Sequence, residues 1–417
     1  MIQSIRGTKD LLPEFIGQWH FIEDIFKKVS DKYGYDELRT PIFEKTEVFH
    51  RSIGEATDIV NKEMYSFVDR GGESITLRPE GTASLVRAVI QNSLIQASST
   101  LRLWYLGPFF RYERPQKGRL RQFHQYGAEC IGSPYPEADA EIILLANEIF
   151  RSAGIKDYKL LLNSLGSEET RKNYRFALIE YLSSHKDDLS EDSQNRFEVN
   201  PLRILDSKSE KDKEILKNAP IILDFLDDES KKHFDTVVSI LQKSDIDLEI
   251  SPKLVRGLDY YCHTVFEFQS SALGAQDSIG GGGRYDGLFE QLGFKQKVPA
   301  VGFALGVERL LLVLEQTNSL PVLDGSPDIY LVSAVDDYSE IIVSLSEQLR
   351  KSAVKVVCDI QRRSVKAQLR EANKMNCKYS AVIGENEITT NRILLKNMRN
   401  GEQVEILMSE IVNFDFS

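Results

Sequence analysis

The stretch from residue 106 to residue 129 carries charged side chains at alternating positions, a pattern that packing alone does not require. Two alternating runs flank a basic loop: Phe109, Arg111 and Glu113 before it, and Phe123, Gln125, Gly127 and Glu129 after it. A period of two predicts a hairpin with these side chains on one face. Because a buried charge needs a partner, such a face would make a poor core but a good floor for a charged ligand. The alternative is a solvated hairpin that binds nothing.

The loop between the two runs is rich in cations. Pro115 and Gly118 are typical turn residues, and the polar side chains around them are Arg114, Gln116, Lys117, Arg119 and Arg121. A mobile segment of this composition suits contact with a polyanion.

Two further segments combine polar residues with strong signals of local structure. Residues 78–82 (Arg-Pro-Glu-Gly-Thr) lie between a predicted strand and a predicted helix, where a carboxylate and a hydroxyl could simply be caps. For Thr82 alone, capping is the simpler explanation. The glycine run at 280–283 lacks both G-x-G-x-x-G and the GK[ST] ending of a phosphate loop. It is better explained as a strand that allows close approach of a ligand.

The elements that must position these residues follow from the spacing of apolar residues. From Phe15 to Tyr33 apolar and aromatic residues recur every three or four positions, which predicts one face of a long helix that ends at Gly34. A strand follows over residues 35–40 and ends before Pro41. A plain helix and edge strand would explain this segment without any further role.

The second half of the chain changes character twice. Residues 167–245 are dense in Lys, Asp and Glu, which predicts a helical insertion with a solvated surface. Residues 321–328 have linker composition, and strands that alternate with helices predict a small α/β domain over residues 329–417. Its helix after Ser364 carries a cationic stripe that is either solvated or contacts RNA. The stripe consists of Lys366, Arg370 and Lys374.

The composition excludes several classes of protein. A chain of 417 residues with 41% hydrophobic and 28% charged residues is typical of a globular protein with two or three domains. No apolar run approaches ~18 residues, so no membrane span is expected, and the charged N-terminus predicts a cytoplasmic protein without a signal peptide. The net charge of -11 confines any RNA contact to local basic patches. Four scattered cysteines without CxxC spacing predict free thiols and no metal site.

Several segments resemble the class II aminoacyl-tRNA synthetases, in the form found in histidyl-tRNA synthetases. The sequence FRYERPQKGRLRQFHQ at 110–125 resembles motif 2 of that class. Residues 15–41 resemble motif 1, and residues 298–310 resemble motif 3. The octet LVRGLDYY at 254–261 and the run GGGGRYD at 280–286 resemble the two signatures peculiar to the histidyl enzymes. The resemblance covers nearly the whole chain.

The resemblance implies an ATP-dependent ligase that activates histidine as histidyl-adenylate and transfers it to the 3′ end of tRNA(His). Arg111 and Arg256 are the implied catalytic residues. ATP, accompanied by Mg²⁺, is implied to bind at Arg111, Glu113, Arg256 and Arg309. The implied histidine-binding residues are Glu80, Gly81, Thr82, Gln125, Glu129, Tyr260, Tyr261 and Tyr285. The implied tRNA-binding residues are Arg114, Gln116, Lys117, Arg119, Arg121, Lys366, Arg370 and Lys374.

The resemblance also implies a fold and an assembly. It implies an α+β catalytic core over residues 1–320, built on an antiparallel sheet of six or seven strands with surrounding helices and the helical insertion. The C-terminal α/β domain is implied to bind the anticodon, and the chain is implied to form a homodimer.

Three alternatives fit less well. A catalytically silent, synthetase-like subunit that regulates histidine biosynthesis usually lacks the anticodon domain and loses the motif arginines, whereas this chain retains both. A class I synthetase would need a HIGH-like motif beside residues 374–378, which only loosely resemble its lysine loop. A generic RNA-binding protein would explain the basic patches but not the signatures.

Overall fold

The computed structural model describes residues 2–54, 57, 59–95, 99–322, 324–334 and 339–416. Residue 323, in the predicted linker, lies outside the described residues. The chain divides into two compact units, residues 1–321 and residues 322–417, each with a hydrophobic core of its own. None of the helices in the described ranges is both long and apolar enough to cross a bilayer.

The first unit contains two sheets surrounded by helices. Its strands are β1 (Asp36–Glu37), β2 (Phe43–Lys45), β3 (Tyr65–Val68), β4 (Ser74–Leu77), β5 (Leu101–Phe110), β6 (Gln122–Ile131), β7 (Lys159–Ser164), β8 (Leu248–Ile250), β9 (Cys262–Gln269), β10 (Ser278–Arg284) and β11 (Ala300–Gly306). Its helices are α1 (Pro13–Tyr33), α2 (Thr46–Ile53), α3 (Thr82–Gln91), α4 (Pro136–Ala153), α5 (Glu168–Ser183), α6 (Glu191–Val199), α7 (Glu210–Leu216), α8 (Asp228–Lys243), α9 (Leu288–Gln291) and α10 (Val307–Gln316).

The main sheet has eight strands in the order β1-β5-β6-β11-β10-β9-β7-β8. The six central strands pair antiparallel, as the resemblance implies, but β1 pairs parallel with β5 and β8 pairs parallel with β7. The expectation of an antiparallel sheet of six or seven strands is therefore corrected at both edges. Parallel neighbours need a crossover connection, and the connection from β7 to β8 contains the whole predicted insertion.

Helix α1 packs its apolar stripe into the core of the first unit. Pro at its first turn and Gly34 in a left-handed conformation (φ 73°) set its two ends. Trp19, Ile22, Phe26 and Val29 are buried, which confirms the helical pattern. Phe15 is 50% exposed, because the stripe reaches the core only from the second turn onward.

The predicted insertion is helical, but its last helix belongs to the core. Phe234, Val237 and Leu241 on α8 join the cluster that contains α4 and the main sheet. The preceding helices contribute Tyr174, Leu178 and their neighbours to a second cluster. Helix α8 therefore serves as the crossover helix that returns the chain to β8.

The second unit is a five-stranded sheet with helices. Its strands are β12 (Ile329–Ser333), β13 (Val356–Cys358), β14 (Tyr379–Ile383), β15 (Arg392–Asn397) and β16 (Gln403–Leu407), and its helices are α11 (Ser339–Lys351), α12 (Val365–Lys374) and α13 (Glu385–Thr390). The order is β13-β12-β14-β15-β16, with the first three strands parallel and the last two antiparallel. This confirms an α/β domain, whose sheet is mixed rather than mostly parallel.

Candidate active site

A cavity of about 550 Å³ lies on one face of the main sheet. The sequence-predicted residues that line it are Glu80, Thr82, Arg111, Glu113, Arg119, Gln125, Arg256, Tyr260, Tyr261 and Arg309. Gly81, Glu129 and Tyr285 are not in its wall but are buried close to wall residues. The fold therefore brings together, around one cavity, residues that lie up to 229 positions apart in the sequence, from Glu80 to Arg309.

Glu129 is the most deeply enclosed carboxylate of the site. It is fully buried on β6, where the Thr82 hydroxyl donates to its Oε1 and the Tyr285 hydroxyl donates to its Oε2, both at 2.7 Å. Burial raises the pKa of Glu129 to about 8, although the two hydrogen bonds oppose this shift. A Cβ on Gly302 of the neighbouring strand would overlap Glu129, so that position requires glycine.

Glu80 caps helix α3 and also lines the cavity. Its two carboxylate oxygens accept from the backbone N–H groups of Thr82 at 2.7 Å and Ala83 at 2.9 Å. Burial raises the pKa of Glu80, while these N–H groups act in the opposite direction. The capping explanation thus holds for Glu80, whereas the Thr82 side chain turns away from its helix to Glu129. A carboxylate has further lone pairs, so capping leaves Glu80 able to accept from a ligand.

Two buried polar atoms close to these carboxylates have no hydrogen-bond partner within the described ranges. They are the Gln125 amide oxygen and the Tyr105 hydroxyl. Gln125 lines the cavity, so its oxygen is available to a donor on a ligand. Tyr105 was not predicted as a site residue. Its ring fills the space that side chains at Gly81 and Gly127 would occupy, which is the reason for glycine at both positions.

The other part of the cavity is cationic. The Arg111 Nε donates to the Pro79 carbonyl at 2.9 Å, and its guanidinium lies 5.3 Å from the centre of the Phe123 ring. Arg309 donates to the carbonyls of Gly118 at 3.0 Å and Ser278 at 2.6 Å. Burial and the nearby charge of Arg119 lower the pKa of Arg309. Several arginines held this close together, with one pKa lowered, indicate a place for an anion.

Arg256 is an inward-facing residue rather than a surface arginine. Its side chain is 18% exposed and forms an ion pair with Glu267 on β9. Its Nε is buried without a hydrogen-bond partner in the described part of the chain. Burial by itself would lower the pKa of Arg256, but Glu267 outweighs it and the pKa is raised. Asp259, an acidic residue three positions further along the chain, accepts a hydrogen bond from Asn200 at 3.1 Å.

The motif 2 loop divides into an exposed part and an inward part. Arg114, Gln116 and Lys117 are exposed. Arg119 reaches into the cavity and lies 3.1 Å from Glu113, and the Arg121 guanidinium lies 4.1 Å from the centre of the Tyr112 ring. Only the exposed part is free to meet a large partner without rearrangement.

Sequence reasoning also missed polar residues of the wall, among them Glu267, Asp206 and Lys208. Glu267 pairs with Arg256, and its alternation with buried residues on β9 was the available signal. Asp206 and Lys208 come from the insertion and also line the cavity. Burial raises the pKa of Asp206, and the charge of Glu267 adds to this shift. No local pattern in the charge-dense insertion distinguishes these two residues from its solvated surface.

The glycine run on β10 serves both the sheet and the cavity. A Cβ on any of residues 280–283 would overlap the backbone of β9 or β11. Gly280 and Gly281 also line the cavity. Close approach of a ligand therefore explains only part of the requirement for glycine at these positions, because the neighbouring strands also leave no room for a side chain.

The cationic stripe lies on α12 of the second unit. Lys366, Arg370 and Lys374 are exposed, while Val365, Leu369 and Ala372 pack against the sheet. The stripe is therefore a surface feature of this unit.

Comparison with known proteins places this geometry in a family. The family model described as "Histidyl-tRNA synthetase" matches residues 7–310, and the model "Anticodon binding domain" matches residues 328–414. The chain is 50% identical over 411 residues to a histidine–tRNA ligase of Chloroherpeton thalassium, covering 98% of this chain and 96% of that protein. It is 49% identical over 411 residues to a histidine–tRNA ligase of Crocosphaera subtropica, covering 99% and 94%.

A solved structure gives the same result for the fold. The apo histidyl-tRNA synthetase of S. aureus superposes with a TM-score of 0.84 at 36% identity, covering 100% of both chains. This chain belongs to the histidyl-tRNA synthetase family, as three findings show: the family model matches most of the chain, relatives are identical at about half of the positions over nearly its full length, and the fold is shared.

Proposed function

We propose that the cavity activates histidine with ATP and then transfers the histidyl group to tRNA(His), the ligase activity of the family to which the chain belongs. One observation carries the proposal: a single cavity combines buried carboxylates with a group of arginines. The histidine carboxylate attacks the α-phosphorus of ATP, histidyl-adenylate forms and pyrophosphate leaves. A hydroxyl of the terminal ribose of tRNA then attacks the carbonyl carbon, and AMP leaves.

The carboxylate part of the cavity is proposed to hold histidine. The ammonium group would bind to Glu80, Thr82 and the unpaired oxygen of Gln125, with Gly81 leaving room for Tyr105. Glu129 and Tyr261 would bind the two imidazole nitrogens. Tyr260 and Tyr285 complete the pocket, and Tyr285 orients Glu129 through the bond described above. A site built on hydrogen bonds rejects ligands that cannot make them.

The arginines are proposed to bind the phosphates of ATP, which Mg²⁺ accompanies. No protein nucleophile is needed, so catalysis consists of positioning and of cations placed where charge develops. Arg111 and Arg256 would stabilise the α-phosphate, and Arg309 would bind the γ-phosphate. Glu113 would orient the nucleotide, since it already lies between Arg111 and Arg119.

Two surfaces are proposed to bind tRNA. The motif 2 loop would meet the acceptor end through Arg114, Gln116 and Lys117, and through Arg119 and Arg121 once the loop opens. The stripe on α12 would contact the anticodon part of the molecule. The proposed place of action is the cytoplasm, and the four free thiols are those expected in a reducing compartment.

The chain is proposed to form a homodimer, but not through the buried stripe of α1. The strand predicted over residues 35–40 is only Asp36–Glu37 in the structure, and exposed apolar residues lie after Pro41: Ile42 and Phe43, and Phe67 and Val68 on the small sheet of β2, β4 and β3. Exposed apolar patches of this kind mark association surfaces. Light scattering should give twice the chain mass of 47.4 kDa, and Phe43→Glu with Phe67→Glu should shift it toward the chain mass. A monomeric wild type would contradict the proposal.

Amino-acid specificity is tested by pyrophosphate exchange with each amino acid supplied separately. Exchange of labelled pyrophosphate into ATP is expected with histidine alone, because only imidazole can satisfy Glu129 and Tyr261 together. Absence of exchange with histidine would overturn the proposed activity.

Replacing Glu129 tests the imidazole contact. Glu129→Gln keeps the size of the side chain but cannot ionise. At a pH above the Glu129 pKa of about 8, histidine binding should therefore weaken by about 1.5 to 3 kcal/mol, the value of a charge-assisted hydrogen bond. Calorimetric titration with histidine measures the loss. Glu315→Ala, which removes an exposed carboxylate on α10, should leave the affinity unchanged. Equal affinities of wild type and Glu129→Gln would refute the assignment.

Removing Arg256 tests the proposed stabilisation of the transition state. Arg256→Ala should lose roughly 10² to 10³ in the rate of adenylate formation, because a preorganised donor would be missing where charge develops. Binding of ATP and histidine should change much less. Single-turnover adenylate formation gives the rate, and transfer from preformed histidyl-adenylate should suffer less.

A matched control for this variant is Arg203→Ala, in the segment Pro201–Asp206 of the insertion. Arg203 donates to the Gly257 carbonyl at 2.6 Å but does not line the cavity. Its removal should leave the adenylation rate within a few-fold of wild type. A folded Arg256→Ala protein that forms adenylate at the wild-type rate would end the proposal.

Reversing the charges of the stripe separates RNA binding from activation. Replacement of Lys366, Arg370 and Lys374 by glutamate should weaken aminoacylation. It should also reduce the salt dependence of aminoacylation, because fewer phosphate contacts release fewer counterions. Pyrophosphate exchange should be unaffected. Lys351→Glu with Lys396→Glu changes exposed lysines elsewhere on the same unit and should have a smaller effect. If exchange falls as far as aminoacylation, the stripe is structural.

A further inference from the structure

Three potential metal ligands meet directly behind the proposed histidine pocket. The Cys262 sulfur, a ring nitrogen of His263 and a carboxylate oxygen of Asp286 all lie within 4.8 Å of one another. Cysteine spacing alone predicted no metal site, because no second cysteine lies nearby in the sequence. The fold supplies the third ligand, Asp286, from two residues beyond the end of the neighbouring strand β10.

An irregularity in the sheet allows two consecutive residues to serve one site. Side chains of successive residues in a regular strand point to opposite faces. Here Gly283 lies opposite Val265 and Arg284 lies opposite Cys262, so the register shifts at His263. His263 also has a φ of 45°, a left-handed conformation that is uncommon for a residue with a side chain. A bulge of this kind redirects a side chain, and such local strain is concentrated at functional sites.

The donor atoms of the cluster are available. Both hydrogen bonds to Asp286, from Arg284 at 3.2 Å and from the Ala300 N–H at 3.1 Å, use its Oδ1 and leave Oδ2 for another partner. The His263 Nδ1 lies 3.5 Å from the Ser230 hydroxyl, at the limit of a hydrogen bond. Cys262 is buried, whereas His263 and Asp286 are partly exposed, so an ion has a route of entry.

The charges of the cluster suit a divalent ion. A metal-bound thiol is deprotonated, so binding of an ion would release the proton of Cys262. A thiolate and a carboxylate would then balance the two charges of the ion, while Arg284 remains paired with Asp139.

We propose that Cys262, His263 and Asp286 form a site for Zn²⁺ or a chemically similar divalent transition-metal ion. Sulfur, nitrogen and oxygen are the ligand set of zinc, and three protein ligands leave a fourth position for water. In tetrahedral ligation the ligand atoms lie about 3.5 Å apart, so displacements of ~1 Å by these side chains would complete the site. Cys262 follows Tyr261, and Asp286 follows Tyr285. The ion would therefore tie together the strand ends that carry two tyrosines of the proposed histidine pocket.

Cobalt titration of the metal-stripped full chain tests the site. Histidine and ATP are omitted, because both bind metal ions themselves. One Co²⁺ per chain should produce the near-ultraviolet absorption of a thiolate–cobalt bond, and Zn²⁺ should abolish it by displacing cobalt. Zn²⁺ should also raise the melting temperature of the protein, since it binds only the folded site.

Two variants and a control make the result specific. His263→Gly removes a ligand and places glycine where the backbone is left-handed, so it should fold at least as stably as wild type and yet lose the cobalt absorption. Cys262→Ser should lose the absorption as well. Cys358→Ser with Cys377→Ser removes two other free thiols and should retain it in full. No thiolate–cobalt absorption in the wild type, or absorption that persists in both Cys262→Ser and His263→Gly, would overturn the proposal.

Discussion

A carboxylate without access to water, Glu129, imposes the strictest constraint on the catalytic unit. Ionising it inside the sheet is costly, and burial raises its pKa to about 8. Three distant segments reduce that cost: Thr82 and Tyr285 supply hydroxyl donors, and Gly302 leaves the space. These segments belong to the start of α3, the end of β10 and the middle of β11. Holding one side chain thus fixes the relative positions of the elements that form the cavity.

The arginines of the cavity are held differently from Glu129. Its arginines are held by protein groups that a polyanion can replace: Arg256 by Glu267, and Arg111 and Arg309 by backbone carbonyls. Arg119 is likewise held by Glu113. The side chains are thereby kept in place without a ligand, and binding needs little reorganisation. Substituting Glu267 should therefore disturb Arg256 as much as it disturbs the sheet.

Much of this arrangement could be predicted from local sequence. The apolar period of α1, the hairpin of β5 and β6, and the alternation of strands and helices in the second unit all depend on neighbours in the chain. The sites that escaped prediction depend on tertiary packing. Tyr105 matters because Gly81 and Gly127 enclose its ring, and Asp206 because the insertion folds back over the cavity. The bulge at His263 depends on the register of β10, which the sequence of β9 does not contain.

The parallel edges of the main sheet bear on how the chain folds. Residue 36 pairs with residue 103, and residue 160 pairs with residue 248. Each edge strand can therefore pair only after a long segment of the chain has closed into a loop. Non-local pairings of this kind slow folding, because chain entropy is lost before the contacts are gained. Equilibrium stability is affected far less, since doubling the length of a loop costs only about 0.6 kcal/mol. The connections between the helices of the insertion can therefore be lengthened at small thermodynamic cost, whereas loss of a whole helix would expose the second cluster, to which Tyr174 and Leu178 belong.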